Sequence, residues 1–294
     1  MPVFVYTLFM PFQFFAWASS LLSGVSIIGT KVTSRFLTKN PTHLNVTLVG
    51  VMTIWMVGIS LYFGVSMPTH FAPILYAGIL SGAVSIFFTY SIYSLDVTVL
   101  APLFSFRTLF GLLFGALLLH ESVTTDQYAY ILLIFAAGFF VSYDNKLKLK
   151  SFFQKGVLYA LAMTALLGLF GVFLQRAILE NGFWTTTFFM SLVVFCTVIP
   201  TLFFTKERYT LNKATFYAAA AITLLDTLAR LAASRAYAEN YTISQAIVSL
   251  PFSMFFAFML ARWRPGLVED NTLTVYVIRF IAGGAMIWAA IQLS

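Results

Sequence analysis

The chain has 294 residues, of which 60% are hydrophobic and 9% charged, with a mean hydropathy of +0.91. A soluble domain carries about 25% charged residues, so this composition cannot cover a water-facing surface and excludes a soluble globular chain. The net charge of +7 is therefore read as loop charge on a membrane protein, not as a nucleic-acid footprint.

A bilayer core about 30 Å thick takes roughly 20 apolar residues of helix. Ten such spans follow in order: Thr7–Thr30, Asn45–Gly64, Phe71–Leu95, Val97–Leu119, Tyr128–Tyr143, Gly156–Leu174, Phe183–Phe204, Ala214–Tyr237, Ser244–Ala261 and Thr274–Leu293. Pro11 near the start of the first either kinks it or marks its beginning. Breakers or charges fill the joints, as in Lys39-Asn40-Pro41, Ser66-Met67-Pro68, Glu180-Asn181-Gly182 and Arg264-Pro265-Gly266. The spans are too long for membrane β-strands and lack their alternation. The expected fold class is an all-α membrane protein with ten transmembrane helices.

Loop charge sets the expected orientation. Lys31, Arg35 and Lys39 follow the first span, and Lys146, Lys148, Lys150 and Lys155 the fifth. Lys206, Arg208 and Lys213 follow the seventh, and Arg262 and Arg264 the ninth. All are odd-numbered connections, whereas the even ones hold only Arg176 and Arg235. The positive-inside rule puts the odd loops in the cytoplasm and both termini outside. The N-terminus has no basic n-region or clear small-residue cleavage site, so no cleaved signal is expected. Cys196 is the only cysteine, which rules out an intrachain disulfide and speaks against a Cys-based metal site.

The chain also echoes itself. Gly24 and Lys31 align with Gly168 and Gln175, and Tyr93 and Thr98 with Tyr237 and Thr242; Phe135, Ala137 and Gly138 align with Phe280, Ala282 and Gly283, one residue out of step. The halves, 1–150 and 151–294, each hold five spans. An odd count makes the second half enter from the opposite side, giving two inverted five-helix repeats in one membrane domain. Transporters use this arrangement for alternating access around a midplane site.

At these positions the sequence resembles the EamA-type carriers of the drug/metabolite transporter superfamily. The likeness rests on Gly24 with Lys31, on Gly115 followed by Leu118-Leu119-His120-Glu121, on Ala136-Ala137-Gly138, and on Pro251 and Ala282-Gly283 in the second half. Thr108 stands where the family often has proline, and Arg264-Pro265 replaces a second Glu. The resemblance implies a ten-helix carrier of small metabolites, often an exporter of amino acids or drugs, with a cavity between the halves. It also implies cytoplasmic termini, opposite to the loop charges.

Charges within the spans give an independent chemical argument. A charge at the centre of a membrane helix costs roughly 2.5–3.5 kcal/mol on insertion scales, so it should face a partner or a cavity. Arg107 lies mid-span in the fourth helix. Asp226 and Arg230 lie mid-span in the eighth, on one helical face. Together they leave one positive charge, suited to a substrate carboxylate or phosphate, which a guanidinium binds through two parallel hydrogen bonds. Alternatively Asp226 neutralises one arginine and the other bonds backbone carbonyls. Trp17, Tyr90 and Tyr93 are candidate cavity-lining residues. Arg176 with Glu180 and Arg235 with Glu239 are expected i, i+4 pairs at helix ends, Glu121 a helix-start residue, and Arg279 a residue that snorkels to the surface.

Enzymatic signatures are missing. There is no H-E-x-x-H helix and no G-x-S-x-G elbow, and Tyr143-Asp144 has no Gly-x-Gly-Asp partner. The expectation is a multi-pass cell-membrane carrier, not an enzyme, moving a carboxylate-bearing or zwitterionic metabolite. Its partners are the small-molecule substrate, the lipid bilayer and a coupling proton or counter-substrate. No nucleic acid, cofactor or metal is expected. The alternatives are an exporter of drug-like organic cations anchored by Asp226 or Glu239, and a membrane protein without transport.

Overall fold

The computed structural model describes residues 11–95, 100, 103–104, 106–120, 124–141, 155–205, 207–264, 266–267 and 273–293. Thr98, Glu121, Tyr143, Asp144, Lys146, Lys148, Lys150, Lys206 and Pro265, and the side chain of Arg279, lie outside the described residues.

The described residues fold into helices in the expected order. α1 is Phe12–Phe36, α2 Pro41–Phe63, α3 Phe71–Ser94, α4 Phe106–Phe114, α5 Thr125–Val141 and α6 Lys155–Asn181. α7 is Phe183–Val198, α8 Lys213–Glu239, α9 Tyr241–Val248, α10 Phe252–Trp263 and α11 Leu273–Leu293. Among the described residues, seven helical stretches are long and apolar enough to cross a membrane, with shorter apolar helices at Phe106–Leu118 and Tyr276–Gln292. The protein is an all-α, multi-span membrane protein.

Local chemistry explains the boundaries. Pro11 is the N-cap of α1. Asn40 starts α2, its side-chain oxygen accepting the N–H groups of Thr42 at 3.0 Å and His43 at 3.3 Å, with Pro41 in the first turn. Asn212 and Asn240 cap α8 and α9 in the same way, through Thr215 N–H at 2.6 Å and Ile243 N–H at 3.0 Å. α4 runs on as a π-helix over Gly115–Leu119 and stops at His120, which is left-handed with φ 53°. The ninth span, expected to be continuous, is instead interrupted at Ser249-Leu250-Pro251. Proline has no N–H for the ladder and its ring collides with the preceding turn, so α9 ends and α10 begins anew.

Packing follows an exchange pattern. α3 lies on α6, and α8 lies on α1; α3 also meets α7, and α8 meets α2. α4 packs on α6, while α9 and α10 pack on α1; α2 meets α7, and α5 meets α11. Two aligned glycines sit at close approaches among these. A Cβ at Gly24 would stand 3.0 Å from Phe252 Cβ, and one at Gly168 would stand 2.7 Å from Phe110 Cβ. Bare backbone is what lets the helices come this near.

Polar contacts tie the halves at both ends of the bundle. At one, Asn40 Nδ2 donates to Glu207 Oε2 at 2.8 Å and the Thr47 and Tyr209 hydroxyls meet at 2.8 Å. At the other, the Asn181 side chain accepts from His70 N–H at 2.8 Å and donates to His70 O at 2.9 Å. Helix α2 separates the two ends, and its 23 residues span roughly 34 Å at about 1.5 Å each. The apolar core between them includes Ile74, Ile134, Leu174, Tyr237, Tyr241 and Ile247.

Candidate functional site

A cavity of about 180 Å³ lies between the helices, walled by α1, α2, α3, α4, α6, α7 and α8 and by Val248 at the end of α9. Arg107, Asp226 and Arg230 all line it, so the structure brings together the charged residues expected from sequence. They come from two halves of the chain. Arg107 is in the first turn of α4; next to it the Thr108 hydroxyl meets that of Ser249 at 2.6 Å, in the interruption between α9 and α10. The arginine therefore stands beside the interruption in the ninth span.

The charges are distributed unevenly. Asp226 Oδ2 accepts from Arg230 Nε at 2.8 Å, an i, i+4 pair within α8. Arg107 instead donates through Nη2 to the phenolic oxygen of Tyr237. Its Nε is buried with no hydrogen-bond partner among the described residues. The Arg107 carbon Cζ is 6.0 Å from the centroid of the Tyr237 ring. A phenol is a neutral acceptor and leaves the guanidinium charge in place. Charged lining residues are thus one neutralised pair and one arginine without a counter-ion among the described residues. In a low-dielectric site such a charge interacts far more strongly with an anion than it would in water.

Trp17, Tyr90 and Tyr93 are not among the lining residues. Trp17 packs edge-on to Phe252, with ring centroids 6.2 Å apart. The Tyr90 hydroxyl meets that of Thr42 at 2.9 Å, and Tyr93 donates to Thr38 O at 2.5 Å. Both tyrosines hold α3 against the α1–α2 connection. Lys31 also acts as a brace. Its Nζ donates to Ile92 O and Leu95 O at 3.0 Å each, satisfying carbonyls that the end of α3 leaves open. The end-of-helix pairs form as expected, Arg176–Glu180 at 2.7 Å and Arg235–Glu239 at 3.0 Å.

Sequence reasoning missed two contributors. One is Tyr237, which reads in the sequence only as the end of a span and an echo of Tyr93. The other is a hydroxyl stripe on α1, where Ser19, Ser23, Ser26 and Thr30 all face the cavity. Their spacing of four, three and four residues puts them on one helical face, a signal legible in the sequence. Met52, Met56, Met163 and Met190 add an adaptable apolar wall. Among the described residues no cluster of three or more His, Cys, Asp or Glu could hold a metal ion.

Comparison with known proteins agrees with this architecture. A crystal structure described only as "Crystal structure of protein" superposes with a TM-score of 0.69 at 12% identity, covering 94% of this chain and 99% of the other. No curated protein sequence matches this one. Residues 10–143 match the family model described as the EamA-like transporter family. Over that stretch, just under half of the chain, the sequence is similar to the EamA-like transporters.

Proposed function

We propose that this protein is a secondary carrier for a small carboxylate-bearing or zwitterionic metabolite, such as an amino acid, which it binds at Arg107. The observation that carries the reading is the imbalance in the cavity. Among the described residues Asp226 is paired with Arg230, whereas Arg107 has only a neutral phenol for a partner and a buried, unused Nε. A substrate carboxylate supplies the missing charge and a second acceptor for the guanidinium fork. The hydroxyls of α1 accommodate the substrate's remaining polar atoms. Export of drug-like cations is the weaker reading, because both carboxylates that would anchor a cation, Asp226 and Glu239, already hold an arginine.

Transport proceeds, on this reading, by alternating access between two inverted five-helix repeats, 1–150 and 151–294, ten membrane helices in all. The reciprocal packing of α3 on α6 and α8 on α1 supports the repeat, as does the equivalent use of Gly24 and Gly168. The interrupted span between α9 and α10 is of the kind carriers place at a midplane site. The basic odd-numbered connections favour their placement in the cytoplasm with both termini outside. Export follows the family resemblance, and a proton or counter-substrate supplies the drive.

The test is uptake by proteoliposomes of a labelled panel of amino acids, organic acids, sugar phosphates and organic cations. Accumulation confined to carboxylates and zwitterions is the expected result. Accumulation of cations alone overturns the reading.

A further inference from the structure

Arg107 belongs to the first half of the chain, yet among the described residues the acceptor its guanidinium meets comes from the second. Its Nη2 donates to the hydroxyl of Tyr237, near the end of α8, whose side chain is only 1% exposed. The Tyr237 ring meets Tyr241 of α9 edge-on, with centroids 5.4 Å apart and planes at 77°. Tyr241 is completely buried and its hydroxyl donates to the backbone carbonyl of Gly168 on α6. Gly171, one turn further along α6, makes room for that ring, because a Cβ there would lie 1.9 Å from Tyr241 Cε2. A continuous path of contacts thus runs from the α6 backbone through two buried tyrosines to the guanidinium.

We propose that Tyr237, and behind it Tyr241, are positioning residues that fix the orientation of the Arg107 guanidinium while leaving its charge free for a substrate anion. This rests on the reading of Arg107 as the anion-receiving group. The chemistry favours a phenol in this role. A carboxylate at position 237 would orient the fork equally well but would neutralise it, and an aliphatic side chain would leave a long, flexible arginine to wander among rotamers. Tyr237 occupies one N–H of Nη2, so Nη1 and the other N–H of Nη2 stay available for two parallel bonds to a carboxylate. Tyr241 has no contact with the cavity. The contact path that leads from it to Arg107 runs through the ring of Tyr237, so its effect is serial on this proposal.

The test measures how fast methylglyoxal modifies Arg107 in the purified full-length protein, read by peptide mass spectrometry, with the exposed Arg176 as internal control. The reagent must take both terminal guanidinium nitrogens, so Nη2 has to leave its phenol first. Tyr237→Phe should speed modification of Arg107 about tenfold, the scale of one hydrogen bond to a charged group, with Arg176 unchanged. Tyr241→Phe should speed it less, and the double variant should match Tyr237→Phe alone. An unchanged Arg107 rate in Tyr237→Phe overturns the proposal. So does a rise shared with Arg176, which marks general loosening, or a double variant whose effect is the product of the two singles. Should Tyr237→Phe fail to fold, Tyr241→Phe decides by itself: faster modification of Arg107 alone supports the relay, and no change overturns it. Repeating the wild-type reaction with phenylacetate and with phenylacetamide separates the two ideas. Equal protection by both defeats the anion reading of Arg107, while the modification rates of the variants still decide the relay.

Discussion

Removing Arg107 distinguishes a substrate-binding arginine from one locked in a structural ion pair. In Arg107→Ala the protein loses a charge-assisted hydrogen bond to Tyr237, worth about 1.5–3 kcal/mol. It also sheds a guanidinium whose Nε is buried without a partner, and relief of that desolvation offsets much of the loss. Asp226 keeps Arg230 at 2.8 Å, so no buried anion is stranded. The net change in stability should be within about 2 kcal/mol of wild type, while transport is abolished. Had Asp226 been the fixed partner of Arg107, the single variant would lose roughly 3–5 kcal/mol, and Asp226→Ala would restore it. The assay is a cycle of four proteins (wild type, Arg107→Ala, Asp226→Ala and the double variant) taken through denaturant unfolding in detergent and uptake in liposomes. Coupling between positions 107 and 226 should stay well below the roughly 3–5 kcal/mol of a broken buried ion pair. A large loss in Arg107→Ala that the double variant recovers, with transport intact in the double, would refute this reasoning.

Other perturbations probe the frame that holds the site. Gly171→Ala drives a methyl into the Tyr241 ring and should cost about 1–3 kcal/mol by overpacking, seen as a lowered melting temperature. Lys31→Met strips the cap from Ile92 O and Leu95 O, and losing these bonds to a charged donor should cost about 1.5–3 kcal/mol; a melt indistinguishable from wild type would show that the cap is idle. A reporter active only in the cytoplasm should work within residues 146–150 and stay silent after Ser294, and the reverse pattern would overturn the charge-based orientation.

The helical frame was legible because its cause is compositional. A bilayer imposes long apolar runs with polar joints, and the expected spans match the observed helices within a few residues for α2, α3 and α11. α6 extends to Asn181 rather than ending near Leu174, since Arg176 and Glu180 pair across one turn and continue the helix into the polar zone. The interruption at Ser249-Leu250-Pro251 was missed because Tyr241–Trp263 as a whole is apolar enough to read as one crossing helix; Pro251 itself was the available signal. The charged residues of the site stood out against the apolar background. What pairs with what did not, because Asp226 lies within reach of an arginine on its own helix, and only the fold shows that Arg107 meets Tyr237. Tyr90 and Tyr93 look like cavity residues by type, yet their hydroxyls serve nearby polar groups at a helix end.

The most direct test of the central claim is carboxylate uptake into liposomes by wild type and Arg107→Lys, compared at equal amounts of folded protein. Lysine keeps the positive charge but loses the planar fork. The account predicts accumulation by the wild type and a strong loss of transport in Arg107→Lys, with little change in the folded, detergent-stable fraction. Undiminished carboxylate transport by Arg107→Lys would contradict it.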